Sequence, residues 1–219
     1  MYSLGARLFY AATYCISYPI MTLGFSLRTA GVRHMPDGPV MILANHESYF
    51  DPLLVGLALR RPISYLARKT LFRNRYFRWL IENLNAVPID QEGIGREGLQ
   101  ASVDILQAGN PLLIFPEGTR TEDGQMQPFK AGILLILRRC PVPILPVGIA
   151  GAFESFPMHR KLPKLSPLFW TPTGGALAVS VGKLLPPTVH QGRDREAALT
   201  TLQEAVAAEV RRAETMLHR

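Results

Sequence analysis

The sequence predicts an α/β fold: a mostly parallel central sheet covered by helices on both faces, with an N-terminal membrane-associated helical segment. Two observations predict the sheet. Apolar runs without polar alternation recur along the chain, as in strands buried on both faces, and stretches with helical periodicity separate them. A long uncharged stretch near the start of the chain predicts the added segment. With 219 residues, of which 47% are hydrophobic, the chain is large enough for one such domain.

The uncharged stretch covers residues 8–27. A helix of that length would span about 30 Å, the thickness of a bilayer core. Its hydroxyl side chains and Pro19 disfavour spanning, so a bent helix or a helical hairpin lying in one leaflet fits better. A cleaved signal peptide is the alternative. We assign residues 1–30 to a membrane-associated helical segment and residues 31–219 to the α/β domain.

The elements of the domain follow from the same patterns, taken in chain order. The predicted strands are 39–45, 62–67, 85–89, 111–115 and 143–149, with one or two more in 176–185. The predicted helices lie near 52–59, 71–84, 95–108 and 129–139. A long amphipathic helix from Asp194 to Arg219 ends the chain, and we expect it to cover the sheet.

The distribution of charge favours an anionic partner. The formal net charge is +7, and no acidic residue lies between Asp51 and Glu82. No RNA- or DNA-binding signature is present, so we expect no nucleic acid and instead a membrane surface, which this patch would orient. The alternative is a solvated helix face with a few core aromatics. The patch combines Arg60, Arg61, Arg68, Lys69, Arg73, Arg75 and Arg78 with Tyr65, Phe72, Tyr76, Phe77 and Trp79.

Several kinds of site are disfavoured. Cys15 and Cys140 lie far apart without metal-ligand spacing, so the sequence predicts two buried thiols and no metal site. Residues 93–98 match G-x-G-x-x-G, but Asp90 and Glu92 separate the preceding strand from the first glycine and would face a pyrophosphate. Walker loops and G-x-S-x-G elbows are also absent from the sequence. Without an obvious nucleophile, a direct transfer is expected.

The first informative string, NHESYFDP, occupies residues 45–52 and follows an apolar run at 40–44. Ligands of parallel sheets bind beyond the carboxyl ends of strands, where His46 lies. A neutral imidazole accepts a proton at neutral pH, and a carboxylate on its other nitrogen orients it. Asp51 follows a short turn that lets the two side chains meet. Alternatively, Asp51 is an N-cap preceding Pro52 at the first helical position.

The second string, FPEGTRT, occupies residues 115–121 at the end of another apolar run. Gly118 allows the backbone to approach a ligand closely, and Thr119 adds a hydroxyl. Arg120 can bind a phosphate with two parallel hydrogen bonds. Lys130 lies near the amino end of the next helix, which favours anions.

Glu117, within this second string, would repel a phosphate. We therefore assign it either to a hydroxyl of the acceptor or to holding Arg120 in place. The alternative for the whole string is a surface turn with ordinary charges. If the strands at 40–44 and 112–115 lie side by side, the two strings form one site that deprotonates an alcohol beside a bound phosphate.

Together the strings resemble those of the lysophosphatidate acyltransferases (1-acyl-glycerol-3-phosphate O-acyltransferases) and their phospholipid-glycerol acyltransferase relatives. The N-H-x-x-x-x-D motif of that family runs here from Asn45 to Asp51, and F-P-E-G-T-R is intact at 115–120. The resemblance covers about residues 33–150. Weaker blocks also align at 67–69, 77–80 and 142–147.

The resemblance implies transfer of a fatty acyl group from an acyl-CoA or acyl-carrier-protein thioester to the free hydroxyl of a lysolipid. The expected acceptor is 1-acyl-glycerol-3-phosphate, which gives phosphatidate. His46 would be the general base and Asp51 its orienting partner, with Glu117, Gly118 and Arg120 in the acceptor site. The family also implies an α/β catalytic domain for residues 31–219. It further implies attachment to the cytoplasmic face of a membrane, and no cofactor is expected beyond the thioester donor.

One departure concerns the acceptor. Gln91 stands where the family commonly has an arginine that helps to hold the phosphate. A neutral hydrogen bond is weaker than a charge-assisted one, so acceptor affinity would fall roughly tenfold. Either Lys69 or Arg96 compensates, or the acceptor is another lysolipid. A non-catalytic lipid-binding relative and a thioesterase are the remaining alternatives.

Overall fold

The computed structural model of the chain describes residues 4–90, 95–168, 175–189, 191–192 and 194–217. The strands are β1 Arg28–Ala30, β2 Met41–Ala44, β3 Ser64–Arg68, β4 Ala86–Ile89, β5 Leu112–Ile114, β6 Ile144–Ala150 and β7 Ala178–Val181. The helices are α1 Leu4–Phe25, α2 Asp51–Leu59, α3 Arg75–Asn83, α4 Arg96–Gln107, α5 Gly132–Arg139, α6 Ala152–Ser155 and α7 Arg195–Leu217. Two 3-10 turns occupy Val32–His34 and Lys69–Phe72.

The strands form one seven-stranded sheet in the order β1-β7-β6-β2-β5-β3-β4. The five strands from β6 to β4 are parallel to one another, whereas β7 is antiparallel to β6 and parallel to β1. The predicted mostly parallel α/β sheet is therefore confirmed. The two strands that precede the informative strings, β2 and β5, are direct neighbours.

Helices cover both faces of the sheet, as predicted. Ile42 and Ala44 of β2 belong to a core cluster that also contains residues of α1 and α2. Met41 and Leu43 point to the other face, where they join residues of α4, α5 and α7. This division follows from the pleat, because successive side chains of a strand point to opposite faces. The C-terminal helix α7 covers the sheet as expected.

The N-terminal segment is a single helix that continues through Pro19 and not a helical hairpin. Its inner side packs on the domain, and the Tyr10 hydroxyl donates to the Gly56 carbonyl of α2 at 2.7 Å. Its outer side is apolar and exposed. Cys15 is exposed on this helix, so the prediction of a buried thiol was wrong there. By length and composition, residues 7–25 are also apolar enough to cross a membrane, and only 11% of that window is buried.

The central sheet begins earlier than residue 31. Strand β1, Arg28–Ala30, pairs with β7, so these three residues belong to the α/β sheet and not to the helix before it. The sequence did not predict this strand, because it is only three residues long and directly follows the uncharged stretch. No separate apolar run therefore marked it. Only Ser26 and Leu27 lie between α1 and β1, and the Leu27 amide bonds back to the Met21 carbonyl at 3.2 Å.

Candidate active site

The two informative strings meet because β2 and β5 are parallel neighbours in register, with Leu43 beside Ile114. Both strings therefore leave the sheet at the same edge. Their backbones are also joined beyond the strands, since the Thr121 amide donates to the His46 carbonyl at 2.9 Å. The expectation that the two strand ends build one site is met.

His46 and Asp51 contact each other as predicted. The imidazole Nδ1 lies 2.7 Å from Asp51 Oδ2, and the Asp51 side chain is fully buried while that of His46 is 19% exposed. The same oxygen accepts the backbone amides of Glu47 at 2.6 Å and Ser48 at 2.8 Å. A carboxylate only accepts hydrogen bonds, so Nδ1 carries the proton and Nε2 is left as the basic nitrogen.

The carboxylate of Asp51 faces the loop before α2 and does not cap the helix. Helix α2 begins at Asp51 itself, with Phe50 in the N-cap position and no side-chain cap. The alternative that Asp51 is only an N-cap is thus not what the structure shows. Pro52 does occupy the first turn of the helix, as that pattern predicted.

Phe115 fixes the plane of the imidazole from the other strand. Its ring stacks on His46 with centroids 3.9 Å apart and an interplanar angle of 12°. Sequence reasoning treated Phe115 only as the end of a buried strand. An aromatic residue at the first position of the second string was visible in the sequence, but its contact with His46 follows only from the pairing of β2 with β5.

Behind His46 lies a buried polar layer. The Asn45 side chain donates to Glu47 Oε1 at 2.9 Å and to the Ile149 carbonyl at 3.0 Å, and it accepts from the Ile149 amide at 2.8 Å. Asn45 thus ties the end of β2 to β6. Burial, and then the nearby charge of Asp51, raises the pKa of Glu47 well above its usual value, which favours its protonated form.

Glu117 is also buried and joins the two strings. Its Oε1 accepts from the His46 amide at 2.7 Å, and its Oε2 accepts from the Gln127 amide at 2.6 Å. Burial raises the pKa of Glu117 to about 7, although these hydrogen bonds oppose the shift. The structure therefore places Glu117 behind the site, where it holds His46 and the following loop, and neither of its oxygens contacts Arg120.

Arg120 lies on the open side of the site. Its guanidinium carbon sits 3.8 Å from the ring centroid of Tyr49, a cation–π contact with the first string. Tyr49 itself packs near Phe156, with centroids 5.4 Å apart. Sequence reasoning missed Tyr49, although an aromatic residue between His46 and Asp51 was visible. The exposed Thr119 hydroxyl donates to the Arg120 carbonyl at 3.0 Å.

Gly118 and the Lys130 side chain lie against each other in the predicted anion-binding loop. Gly118 has φ +77°, and a Cβ added there would lie 2.7 Å from Lys130 Nζ. The ammonium therefore crosses directly over the glycine. The backbone holds this approach, because the Lys130 amide donates to the Pro116 carbonyl at 2.8 Å. Lys130 precedes α5 by two residues, so it lies just outside the helix, whereas the predicted helix at 129–139 included it.

Lys69 lies after β3 and is engaged by carboxylates. Its Nζ is 2.7 Å from Asp90 Oδ2 and 3.2 Å from Glu97 Oε1. Hydrogen bonds to these two groups raise the pKa of Lys69. Its charge is thus shared with two carboxylates. This argues against Lys69 as the group that compensates for Gln91 in holding the phosphate. Gln91, the predicted point of departure, lies outside the described residues.

Comparisons with known proteins identify the family. The model of the family described as Acyltransferase matches residues 26–150. A probable 1-acyl-sn-glycerol-3-phosphate acyltransferase of Mycoplasma genitalium is 30% identical over 146 residues, which are 64% of this chain and 54% of that protein. A 1-acyl-sn-glycerol-3-phosphate acyltransferase of Pseudomonas aeruginosa is 27% identical over 197 residues, which are 88% of this chain and 70% of that protein.

A solved structure shows the same fold. The crystal structure of the acyltransferase PlsC from Thermotoga maritima has a TM-score of 0.69 and 24% identity, and the match covers 94% of this chain and 78% of that one. The chain spans only about half the length of some curated relatives, such as the Mycoplasma protein at 54%. The family model nevertheless covers more than half of this chain and contains both strings, so the chain belongs to the acyltransferase family.

Proposed function

We propose that this chain transfers a fatty acyl group from an acyl-CoA or acyl-carrier-protein thioester to the free hydroxyl of 1-acyl-glycerol-3-phosphate, giving phosphatidate. The observation that carries the proposal is the 2.7 Å contact between His46 Nδ1 and the buried Asp51 carboxylate at the shared edge of β2 and β5. A protein that only binds lipid needs no oriented base. The names of the curated relatives support this acceptor.

In the proposed reaction, His46 Nε2 accepts the proton of the acceptor hydroxyl as its oxygen bonds to the thioester carbonyl carbon. The positive charge that develops on the imidazole is stabilised by Asp51. The carbon–sulfur bond then breaks, and the departing thiolate takes the proton from Nε2. The acyl group passes directly between the substrates, so the reaction needs neither a covalent enzyme intermediate nor a cofactor.

We assign the phosphate of the acceptor to Arg120 and Lys130. Arg120 is adjacent to Thr121, whose amide bonds to the His46 carbonyl, so the guanidinium and the imidazole lie on joined loops. The cation–π contact with Tyr49 restrains the guanidinium while its donors stay available to phosphate oxygens. Lys130 adds a second charge above Gly118. Thr119 completes this side of the site with its hydroxyl.

We further propose that α1 lies in one leaflet on the cytoplasmic face of a membrane. Its exposed side carries Leu8, Ile16 and Leu23, each more than half exposed, and the helix has no charged residue after the exposed Arg7. The basic and aromatic patch lies beside it, because Phe9 of α1 contacts Trp79 of α3 edge to face at 5.2 Å. Aromatic side chains of this kind are typical of membrane interfaces, where basic ones attract anionic lipid.

A panel of lysolipids tests the proposed acceptor. Purified full-length protein is incubated with labelled acyl-CoA or acyl-acyl-carrier-protein and with lysophosphatidate, lysophosphatidylcholine, lysophosphatidylethanolamine or lysophosphatidylglycerol. Labelled phosphatidate as the preferred product supports the proposal. Acylation of a different lysolipid would transfer the proposal to that acceptor, release of free fatty acid would indicate a thioesterase, and absence of turnover would indicate a binding protein.

A further inference from the structure

The segment that follows α6, residues 157–168, exposes large apolar side chains. Leu162 is 76% exposed and Leu165 is 57% exposed, and Met158 and Leu168 are also exposed. Isolated surface leucines are common, but several in one short segment mark an interaction surface. The proposed acyl transfer does not use these side chains.

The charged residues of this segment are all basic. Arg160, Lys161 and Lys164 are exposed among the leucines, and no Asp or Glu occurs between Glu154 and Asp194. A surface of leucines interspersed with lysines matches the interface of an anionic bilayer, where acyl chains and phosphate headgroups lie within a few ångströms of each other. The charge thus distinguishes a lipid surface from an apolar protein partner.

One end of the segment is fastened to the C-terminal end of α1. The Ser166 amide donates to the Gly24 carbonyl at 2.9 Å, and the Leu168 amide donates to the Leu23 carbonyl at 3.0 Å. The Ser26 hydroxyl donates to the Ser166 carbonyl at 2.7 Å. A Cβ on Gly24 would lie 3.9 Å from Leu165, so this leucine sits directly against the helix. The apolar surfaces of the segment and of α1 are therefore continuous.

The other end of the segment is fastened to the candidate active site. The Ser48 hydroxyl donates to the Phe156 carbonyl at 2.7 Å. The Phe156 ring contacts both Tyr49 and Phe50. Tyr49 in turn carries Arg120 on its ring face. The segment thus runs from the wall of the acceptor site to the end of the proposed membrane helix, and hydrogen bonds hold the chain at both ends.

We propose that residues 157–168 form a second membrane-contacting element, in which Leu162 and Leu165 enter an anionic bilayer beside α1 and thereby hold the acceptor site against the lipid surface. The lipid contact is inferred only from the exposed leucines and basic residues of this segment. Its effect on the delivery of the acceptor rests on the proposed function. Because the segment is already held in place, little conformational entropy is lost when it binds.

Vesicle binding tests the element without any reaction. The full chain and its Leu162→Ser/Leu165→Ser variant are sedimented with vesicles of phosphatidylglycerol and phosphatidylcholine over a range of lipid concentrations. The double variant is expected to bind about tenfold more weakly, since two leucines no longer enter the bilayer. Leu135→Ser is the matched control, because Leu135 is 47% exposed on α5, on the opposite face of the sheet, and its loss should change nothing.

Charge and position give two further readouts. Lys161→Gln/Lys164→Gln should weaken binding to anionic vesicles about tenfold and leave binding to pure phosphatidylcholine unchanged. With Cys15 and Cys140 replaced by serine, an environment-sensitive probe on Leu162→Cys should shift to the blue on adding vesicles, whereas one on Leu135→Cys should not. The proposal is overturned if the folded double leucine variant binds vesicles as tightly as the wild type, or if the probe at residue 162 remains in water. It is also overturned if the protein forms a dimer in solution that only the leucine substitutions dissociate.

Activity separates this proposal from the proposed function. The double leucine variant should keep its rate on a short-chain lysophosphatidate dissolved below its critical micelle concentration and lose rate on acceptor presented in vesicles. If the wild type lacks acyltransferase activity but the leucine variant still loses vesicle affinity, the proposed function fails and the membrane element stands. If both rates are unchanged while vesicle affinity is also unchanged, the membrane element fails and the proposed function stands.

Discussion

At the level of single residues, His46 is held at three points, two on its ring and one on its backbone. Asp51 accepts from Nδ1, Phe115 stacks on the ring, and Glu117 accepts from the backbone amide. Because each restraint comes from a buried or partly buried group, the ring has little freedom and Nε2 points to one position. This preorganisation is what a general base requires.

Asp51→Asn tests the charge of the orienting group with little change of shape. Asp51 Oδ2 accepts all three hydrogen bonds, and within the described structure the buried Oδ1 has no partner. The amide oxygen of asparagine can therefore replace Oδ2 while the amide nitrogen takes the unpaired position. We expect kcat to fall by about 10² or more, because a neutral amide stabilises the imidazolium less, with little change in KM for the acceptor.

The measurement for this variant is steady-state kinetics together with thermal unfolding. Asp104→Asn is the control, since Asp104 is exposed on α4 and its side chain bonds only to Gln100 among the described residues. A kcat of Asp51→Asn within threefold of the wild type, in a protein that unfolds normally, would exclude Asp51 as the orienting group.

Glu117→Gln tests the buried carboxyl through the pH dependence of stability. The pKa of Glu117 is about 7 in the folded chain, above the usual 4.5, so its contribution to stability is complete below pH 4.5 and is lost as the pH rises through 7. Between pH 5 and 8 the wild type should lose on the order of 2 kcal/mol more unfolding free energy than the variant. Urea unfolding at several pH values measures the difference.

The comparison isolates Glu117 because Glu47, which is also buried, titrates in both proteins. The variant itself should be less stable at pH 5 by about 1 kcal/mol, since its amide nitrogen faces one of the two backbone donors. Glu122→Gln removes an exposed carboxylate from the same loop and serves as the control. Parallel stability curves for the wild type and Glu117→Gln would show that the carboxyl is ionised throughout this range.

At the level of elements, α1 and β6 are opposite cases: α1 exposes an apolar side, whereas β6 is fully buried and in close contact with a helix. Helix α1 turns tyrosines inward and leucines outward, the reverse of a helix whose outer face meets water. Strand β6 is buried along its whole length. At Gly148 a Cβ would lie 2.1 Å from the carbonyl carbon of Glu209 and from the amide nitrogen of Val210. Helix α7 therefore rests directly on the backbone of β6.

Gly148→Ala should push α7 away from the sheet. The added methyl group would meet backbone atoms that cannot rotate aside, so we expect a destabilisation of about 2 kcal/mol or more. Gly24→Ala is the matched control, because the nearest atom there is 3.9 Å away and alanine favours a helix. Chemical denaturation of both variants measures the effect, and equal stability of Gly148→Ala and the wild type would contradict this packing.

At the level of the whole molecule, the sequence predicted the class of fold and the two strings of the site, and physical reasons explain the rest. The order of the strands could not be predicted, because buried parallel strands have similar apolar sequences and nothing in the sequence of β2 specifies β5 as its neighbour. The local contact of His46 with Asp51 was predictable from a five-residue spacing. The Tyr49–Arg120 and Phe115–His46 contacts join the two strings, so they became visible only once the sheet was assembled.

The role of Glu117 illustrates a different limit. This glutamate was assigned either to a hydroxyl of the acceptor or to holding Arg120 in place, because its charge would repel a phosphate. In the folded chain it is 2% exposed and both of its oxygens are taken by backbone amides. Burial of a charged residue depends on the elements that converge on it, and the local sequence does not encode that convergence.

The central claim is that His46 is the base of an acyl transfer to a lysolipid hydroxyl. The most direct measurement compares wild type and His46→Ala with labelled acyl thioester and lysophosphatidate, following labelled phosphatidate over time. We predict that the wild type forms the product and that His46→Ala is slower by about 10² or more while retaining its fold and its vesicle binding. Near-normal turnover by His46→Ala would contradict the claim.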